Sequence, residues 1–304
     1  DLLHIIGQTN LTASAITYAS FNKIPMMIEL VTKGSHPRRT LPILNRIWLP
    51  KLKELTVIIA ISKFLKQKCL DEGLKDNVWY RPNPIDTKKF NIDPRYKNRN
   101  RKKISNFNKT DILICSIAKF MPQKNQIFLI EVLKNLPKKY KLILAGPKIR
   151  SGNLFSRDKN YLKKIKTLII QYKLQNRVLL IENFVDTEKY IKISDIYALP
   201  AYNEGLGTPL LESLSCGVPV IANIKENAFR EWIKNKHNGY LVELDKFKWC
   251  KAIKNLNLNK KNVIGSSNKI KKIASENSIF EKYLSILSFL RASKDFNKQI
   301  KLKI

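Results

Sequence analysis

Short apolar runs alternate along this chain with longer stretches in which apolar residues recur every three or four positions. Short runs bounded by turn residues predict strands, and the longer amphipathic stretches predict helices. Residues 2–6, 25–30, 57–61 and 77–80 read as strands. Between them, 11–21 and most of 41–55 read as helix, and Ser62 caps a further helix through residue 70. Pro82, Asn83 and Pro84 then break regular structure. A second series follows, with strands at 112–118, 141–145, 178–181, 196–199 and 218–222, and helices at 125–136, 158–172 and 209–216. A turn-rich stretch and C-terminal helices complete the chain. Strands alternating with helices argue for βαβ units and parallel sheets, hence an α/β fold with one complete doubly wound domain and part of another. The expected boundaries are a partial N-terminal domain over 1–90, a linker over 91–108, a complete doubly wound domain over 109–290 and a basic tail over 291–304. In such sheets ligands bind at the carboxyl ends of the strands.

The 304 residues, 44% of them hydrophobic, supply core enough for two domains. No run approaches the roughly 18 to 20 apolar residues of a membrane-spanning helix. No charged and apolar leader pattern follows Asp1, so the chain reads as starting within a longer protein. Cys69, Cys115, Cys216 and Cys250 show no paired spacing, and three sit in or beside apolar runs, so they read as buried thiols of a reducing, cytoplasmic compartment.

Charge adds a partner question. With 57 basic against 24 acidic residues the formal charge is +33, which favours polyanions: nucleic acid, an anionic membrane surface or phosphorylated substrates. The lysines and arginines are spread over the whole chain, which weighs against a nucleic-acid site and leaves peripheral contact with an anionic inner membrane face as an expectation. The one dense cluster, Arg95, Lys97, Arg99, Arg101, Lys102 and Lys103, reads as a solvated linker.

The segment NEGLGTPLLESLSCGVPVIA is the richest in chemistry. Thr208 is a good N-cap, Pro209 a good first helical residue and Gly217 a good stop, so a helix of barely two turns is expected. Gly205 and Gly207 before it allow close backbone approach to a ligand, and the helix dipole adds partial positive charge there. That suits a diphosphate. Glu204 and Glu212 border the same point and suit ligand hydroxyls; the alternative is a surface charge at Glu204 and a helix-dipole partner at Glu212. A second phosphate signal is AKFMPQKNQ, between a strand and a helix. Lys124 sits where the helix should begin, unfavourably beside its positive end unless an anion is present, and Lys119 could reach the same ligand. The alternative is two solvated lysines.

These residues resemble the retaining GT-B glycosyltransferases, the glycosyl transferases group 1 (family 4) superfamily. The specific part is E-x7-E, Glu204 to Glu212. Supporting matches are AISKFLKQKCLDEG, RPNPIDTKKF, SIAKFMPQKNQ followed by LILAGP with its Gly146, and SDIYALPAYNEG. The resemblance implies two Rossmann-like domains facing a cleft, the N-terminal one incomplete, with Glu204 on the donor sugar, Glu212 on the ribose, and Lys119 and Lys124 on the diphosphate. It places Gly146, Gly205, Leu206, Gly207, Thr208, Pro209 and Leu210 at the donor, with the 207–210 backbone on the distal phosphate and Asn183, Phe184 and Val185 bordering the base. Implied too are transfer with retention from a UDP-, GDP- or similar nucleotide sugar to a saccharide or lipid-linked acceptor, no metal and no cofactor. The family often has Arg at Lys119 and a glycine pair at Asn227 and Ala228, and many members carry His at the position of Ile6. His4 reads as structural. A catalytically silent relative and a polyanion-binding protein are the alternatives.

Overall fold

A computed structural model describes residues 2–7, 10–35, 56–74, 77–148, 151–152 and 154–294. The helix expected over 41–55 and His36 lie outside the described residues. The chain divides into two compact units, one of Asp1–Pro84, Asn203–Leu206 and Lys272–Ile304, the other of Ile85–Tyr202 and Gly207–Lys271.

In the first unit the order is β1 (Leu3–Ile6), α1 (Asn10–Phe21), β2 (Met26–Leu30), β3 (Thr56–Ala60), α2 (Lys63–Asp71) and β4 (Val78–Tyr80). The strands form one parallel sheet in sequence order. Every residue of β2 and β3 is buried, which is why neither alternates apolar with polar residues: β3 is apolar after Thr56, and β2 is apolar but for Glu29. Alternate side chains go to opposite faces. Ile5, Met26 and Ile28 meet Ile16 and Ala19 of α1, while Met27, Val57, Ile59 and Trp79 meet Ile286, Phe289 and Leu290 of the C-terminal helix Glu276–Lys294. On that second face Arg81 donates to the buried Glu29 carboxylate and to the Tyr283 hydroxyl at 2.5 Å, and His4 Nε2 lies 3.4 Å from Glu29. His4, itself exposed, meets this network from its solvent edge. Ser62 caps α2, accepting from the Leu65 N–H at 3.3 Å.

The second unit runs α3 (Tyr96–Ser105), β5 (Ile112–Ile117), α4 (Gln126–Lys134), β6 (Tyr140–Ala145), α5 (Phe155–Gln171), β7 (Val178–Ile181), α6 (Thr187–Ile193) and β8 (Ile196–Leu199). After β8 come α7 (Thr208–Ser215), β9 (Val220–Asn223), α8 (Asn227–Arg230), β10 (Gly239–Val242), α9 (Lys246–Lys254) and α10 (Lys260–Ala274). Six parallel strands lie in the order β10-β9-β8-β5-β6-β7. A core of α4, α5 and α9 side chains covers one face, with Phe128 and Trp249 edge to face at 5.2 Å. All four cysteines are free and buried, and burial pushes the thiols of Cys69, Cys115 and Cys216 up to about 12.

Three expectations change. The first unit ends at Pro84 rather than 90 and takes back Lys272–Ile304, because the C-terminal helix supplies the apolar face that covers its sheet. The stretch read as a solvated linker contains α3, held by Arg101, which is 2% exposed. Its guanidinium donates to the Ile193 carbonyl at 2.9 and 3.0 Å, to the Asp111 carbonyl at 2.7 Å and to Asp195 at 2.5 Å. The turn-rich stretch after residue 223 contains α8 and β10. Of the tail expected over 291–304, residues 295–304 lie outside the described ones.

Candidate functional site

Within the second unit, strand order reverses between β5 and β8: β6 and β7 follow on one side, β9 and β10 on the other. At such a switch point the loops leaving the two central strands diverge and open a crevice at their carboxyl ends. Lys119 and Lys124 lie on the loop after β5, and Gly207, Thr208, Pro209 and Leu210 on the loop and helix after β8. Those two loops are tied together. The Tyr202 N–H donates to the Gln123 carbonyl at 3.1 Å, and Asn125 Nδ2 donates to the Pro200 carbonyl at 3.4 Å.

The β5 loop is built locally. Pro122–Lys124 forms a single 3-10 turn, and Asn125, at φ 54°, caps α4, so Lys124 stands just ahead of the helix rather than at its first residue. Asn tolerates this left-handed conformation better than most residues. Gln126, 1% exposed, reaches back with its side-chain amide to the Lys119 carbonyl at 2.9 Å and the Ala118 carbonyl at 3.5 Å. It fixes the backbone from which the exposed Lys119 projects. Sequence reasoning missed Gln126.

The β8 loop corrects the expected cap. Gly207, at φ 77°, is the N-cap of α7, and Thr208 is its first helical residue. A Cβ on Gly207 would stand 2.6 Å from the Phe229 ring and 3.3 Å from Leu199, so conformation and packing both demand glycine. Pro209 has no N–H, and the Leu210 N–H returns to the Gly207 carbonyl at 2.9 Å, which narrows the backbone donors expected over 207–210. What the first turn offers an anion is chiefly the positive end of the helix dipole. The stop is as expected: Gly217 N–H bonds to the Leu214 carbonyl at 3.1 Å and Val218 N–H to the Ser213 carbonyl at 3.0 Å, a Schellman pair.

Glu212, one turn into α7, is half-buried. Burial pushes its carboxyl up to about 7, and the Glu188 carboxylate of α6 adds to the shift. Both carboxylates and the Lys192 charge also act on the Cys216 thiol, which places the 188/192 face of α6 toward the 212/216 face of α7. A helix-dipole partner alone does not account for this setting. Glu188 was not found from the sequence, because α6 was not read as a helix.

Gly146 follows β6 and Asn183, Phe184 and Val185 follow β7, on the same carboxyl edge. Phe184 is 88% exposed. The 183–185 loop lines an open cavity of about 660 Å³ with Lys103, Ile104, Lys189 and Tyr190. Glu204, Gly205 and Leu206 group instead with the first unit, where Glu204 makes an antiparallel bridge to Thr32. Among the described residues no cluster of three or more His, Cys, Asp or Glu has the makings of a metal site, and no helix is long and apolar enough to cross a membrane.

Residues 97–276 match the family model described as Glycosyl transferases group 1. A UDP-Gal:alpha-D-GlcNAc-diphosphoundecaprenol alpha-1,3-galactosyltransferase from Escherichia coli is 27% identical over 199 residues, 62% of this chain and 48% of that protein. A capsular polysaccharide biosynthesis glycosyltransferase, CapH, from Staphylococcus aureus is 28% identical over 160 residues, 52% of this chain and 43% of its own length. The chain spans about half the length of the curated relatives it matches. Among solved structures, Anabaena Alr3699/HepE in complex with UDP aligns with a TM-score of 0.77 at 17% identity, over 94% of this chain and 78% of that one, a likeness of fold.

Proposed function

The chain belongs to the glycosyl transferases group 1 family, and we propose that it transfers a sugar, with retention and without a metal, from a nucleoside diphosphate sugar to a saccharide or lipid-linked acceptor in cell-surface glycan synthesis. The observation that carries this reading is the switch point between β5 and β8, where the loop bearing Lys119 and Lys124 is hydrogen-bonded to the segment that leaves β8.

Bond breaking at the anomeric carbon leaves negative charge on the diphosphate. Lys119, Lys124 and the amino end of α7 are assigned to that charge, held in place before reaction so that little reorganisation is needed as it develops. Glu212 is assigned to the ribose hydroxyls and Glu204, three residues before Gly207 along the chain, to the donor sugar. Gly146 and the 183–185 loop are assigned to the nucleoside, with the exposed Phe184 ring available for stacking. The E. coli and S. aureus relatives, named for a lipid-linked acceptor and for capsule synthesis, support the acceptor class. The free, buried thiols support work in the cytoplasm, and the net charge of +33 supports peripheral contact with an anionic membrane face.

The test is transfer from labelled UDP-glucose, UDP-galactose and GDP-mannose to lipid and polysaccharide extracts of the source cell, with and without EDTA. A product whose anomeric proton coupling matches the donor's, formed equally in EDTA, supports the reading. An inverted product overturns retention, and loss of transfer in EDTA overturns metal independence. Absence of both transfer and nucleotide-sugar binding overturns the whole.

A further inference from the structure

The first unit contains a short segment remote from it in sequence, Asn203–Leu206. Thr32, just beyond the carboxyl end of β2, forms an antiparallel bridge with Glu204 in that segment. The approach is close. A Cβ on Gly205 would stand 2.3 Å from the Val31 carbonyl oxygen and 2.8 Å from its carbon, so a side chain at this position would force the two backbones apart. Asn203 enters the segment at φ 60°, which turns the chain into the bridge.

The Thr32 side of the bridge is itself held. Its N–H donates to Ser35 Oγ at 3.1 Å, the two hydroxyls lie 3.0 Å apart, and the Ser35 N–H donates back to the Thr32 carbonyl at 2.9 Å. Ser35 is 1% exposed, so its hydroxyl is buried and spent on this turn. From α2, Lys68 Nζ donates to the Lys33 carbonyl at 2.6 Å and pins the turn's middle. A mutually hydrogen-bonded turn of this kind, anchored by the buried Ser35, has few alternative arrangements.

We propose that the 32–35 turn is a positioning device for Glu204: Ser35, acting through Thr32, sets where the Glu204 backbone runs and so where its carboxylate stands. This rests on the assignment of Glu204 to the donor sugar.

The test is calorimetry of the parent chain and its variants with UDP against UDP-glucose and GDP against GDP-mannose. Ser35→Ala should weaken nucleotide-sugar binding about tenfold and leave the matching nucleoside diphosphate within twofold. Thr32→Val, at an exposed position where folding is not at stake, should move in the same direction, and Thr32→Ser, which keeps the hydroxyl, should restore the parent's preference. A merely structural turn would lower both affinities together, or neither, and either result overturns the positioning role while leaving the donor reading standing. A parent that binds no nucleoside diphosphate and no nucleotide sugar overturns the donor reading and this proposal with it.

Discussion

The carbonyl oxygen of Ala118 lies 2.1 Å from where a Cβ on Gly146 would stand. The loops leaving β5 and β6 therefore meet at a separation that only glycine permits; beside it the Ala118 N–H donates to the Ala145 carbonyl at 2.9 Å, and the Gly146 N–H turns to the Ile181 carbonyl at the end of β7 at 3.0 Å. The loop that carries Lys119 begins at this contact.

Replacing Gly146 by Ala should cost about 1–3 kcal/mol of stability, the usual penalty of forced overpacking, and should displace Lys119 with the strand end. Urea unfolding measures the first effect and nucleoside diphosphate affinity the second. A variant as stable as the parent, with unchanged affinity, would show that the two loops separate freely.

Arg101 is expected to behave as a buried structural residue rather than as one charge of a basic linker. Arg101→Ala removes one of the two cations paired with Asp195 and the donor to three backbone carbonyls, and should cost about 3 kcal/mol. Lys102→Ala, on the exposed side of α3, should stay within about 0.5 kcal/mol of the parent. Equal, negligible losses in urea unfolding would return 91–108 to the status of a solvated linker.

The contrast between these two neighbours shows where the sequence was legible. A strand buried on both faces, such as β3, betrays itself by its apolar run, and α7 by local turn chemistry: Pro209 at the start, Gly217 at the stop. What holds α3 is bonding from Arg101 to carbonyls of Ile193 and Asp111, the first of them 92 residues away, and no local pattern announces that. The seven residues of α6 and the four of β10 are too short to show a period, so the meeting of Glu188 with Glu212 stayed hidden along with them. Likewise, Thr208 looked like the better cap because capping preference is a side-chain rule, whereas the packing of Phe229 against Gly207 gave the position to glycine. The donor-side loops were readable because glycine, proline and lysine placement is local. The partition of Asn203–Leu206 into the first unit was not, since it depends on a bridge to residue 32.

Glu212 should make stability fall as pH rises. Its carboxyl, near 4.5 in the unfolded chain, is pushed up to about 7 in the fold. The folded protein then holds its proton more tightly, so stability is lost from about pH 4.5 upward and levels off above about pH 7, by about 3 kcal/mol in all. Glu212→Gln, which cannot ionise, should remove that slope and raise the melting temperature above pH 7, while weakening donor binding because the ribose loses its carboxylate acceptor. Melting curves across pH 4.5 to 8, run beside calorimetry, separate the two effects. An unchanged slope would mean that the carboxyl ionises as freely as in water, and unchanged affinity would remove Glu212 from the ribose.

The most direct test of the account is calorimetric titration of the chain with UDP and with GDP, in the parent, in Lys119→Ala and in Lys124→Ala. Saturable binding of at least one nucleoside diphosphate is predicted for the parent. Each variant should lose about 1.5–3 kcal/mol of it, a charge-assisted contact removed beside a helix end, with melting temperature unchanged. Parent and variants binding alike, or a parent that binds neither nucleotide, would contradict the placement of a diphosphate at the switch point between β5 and β8.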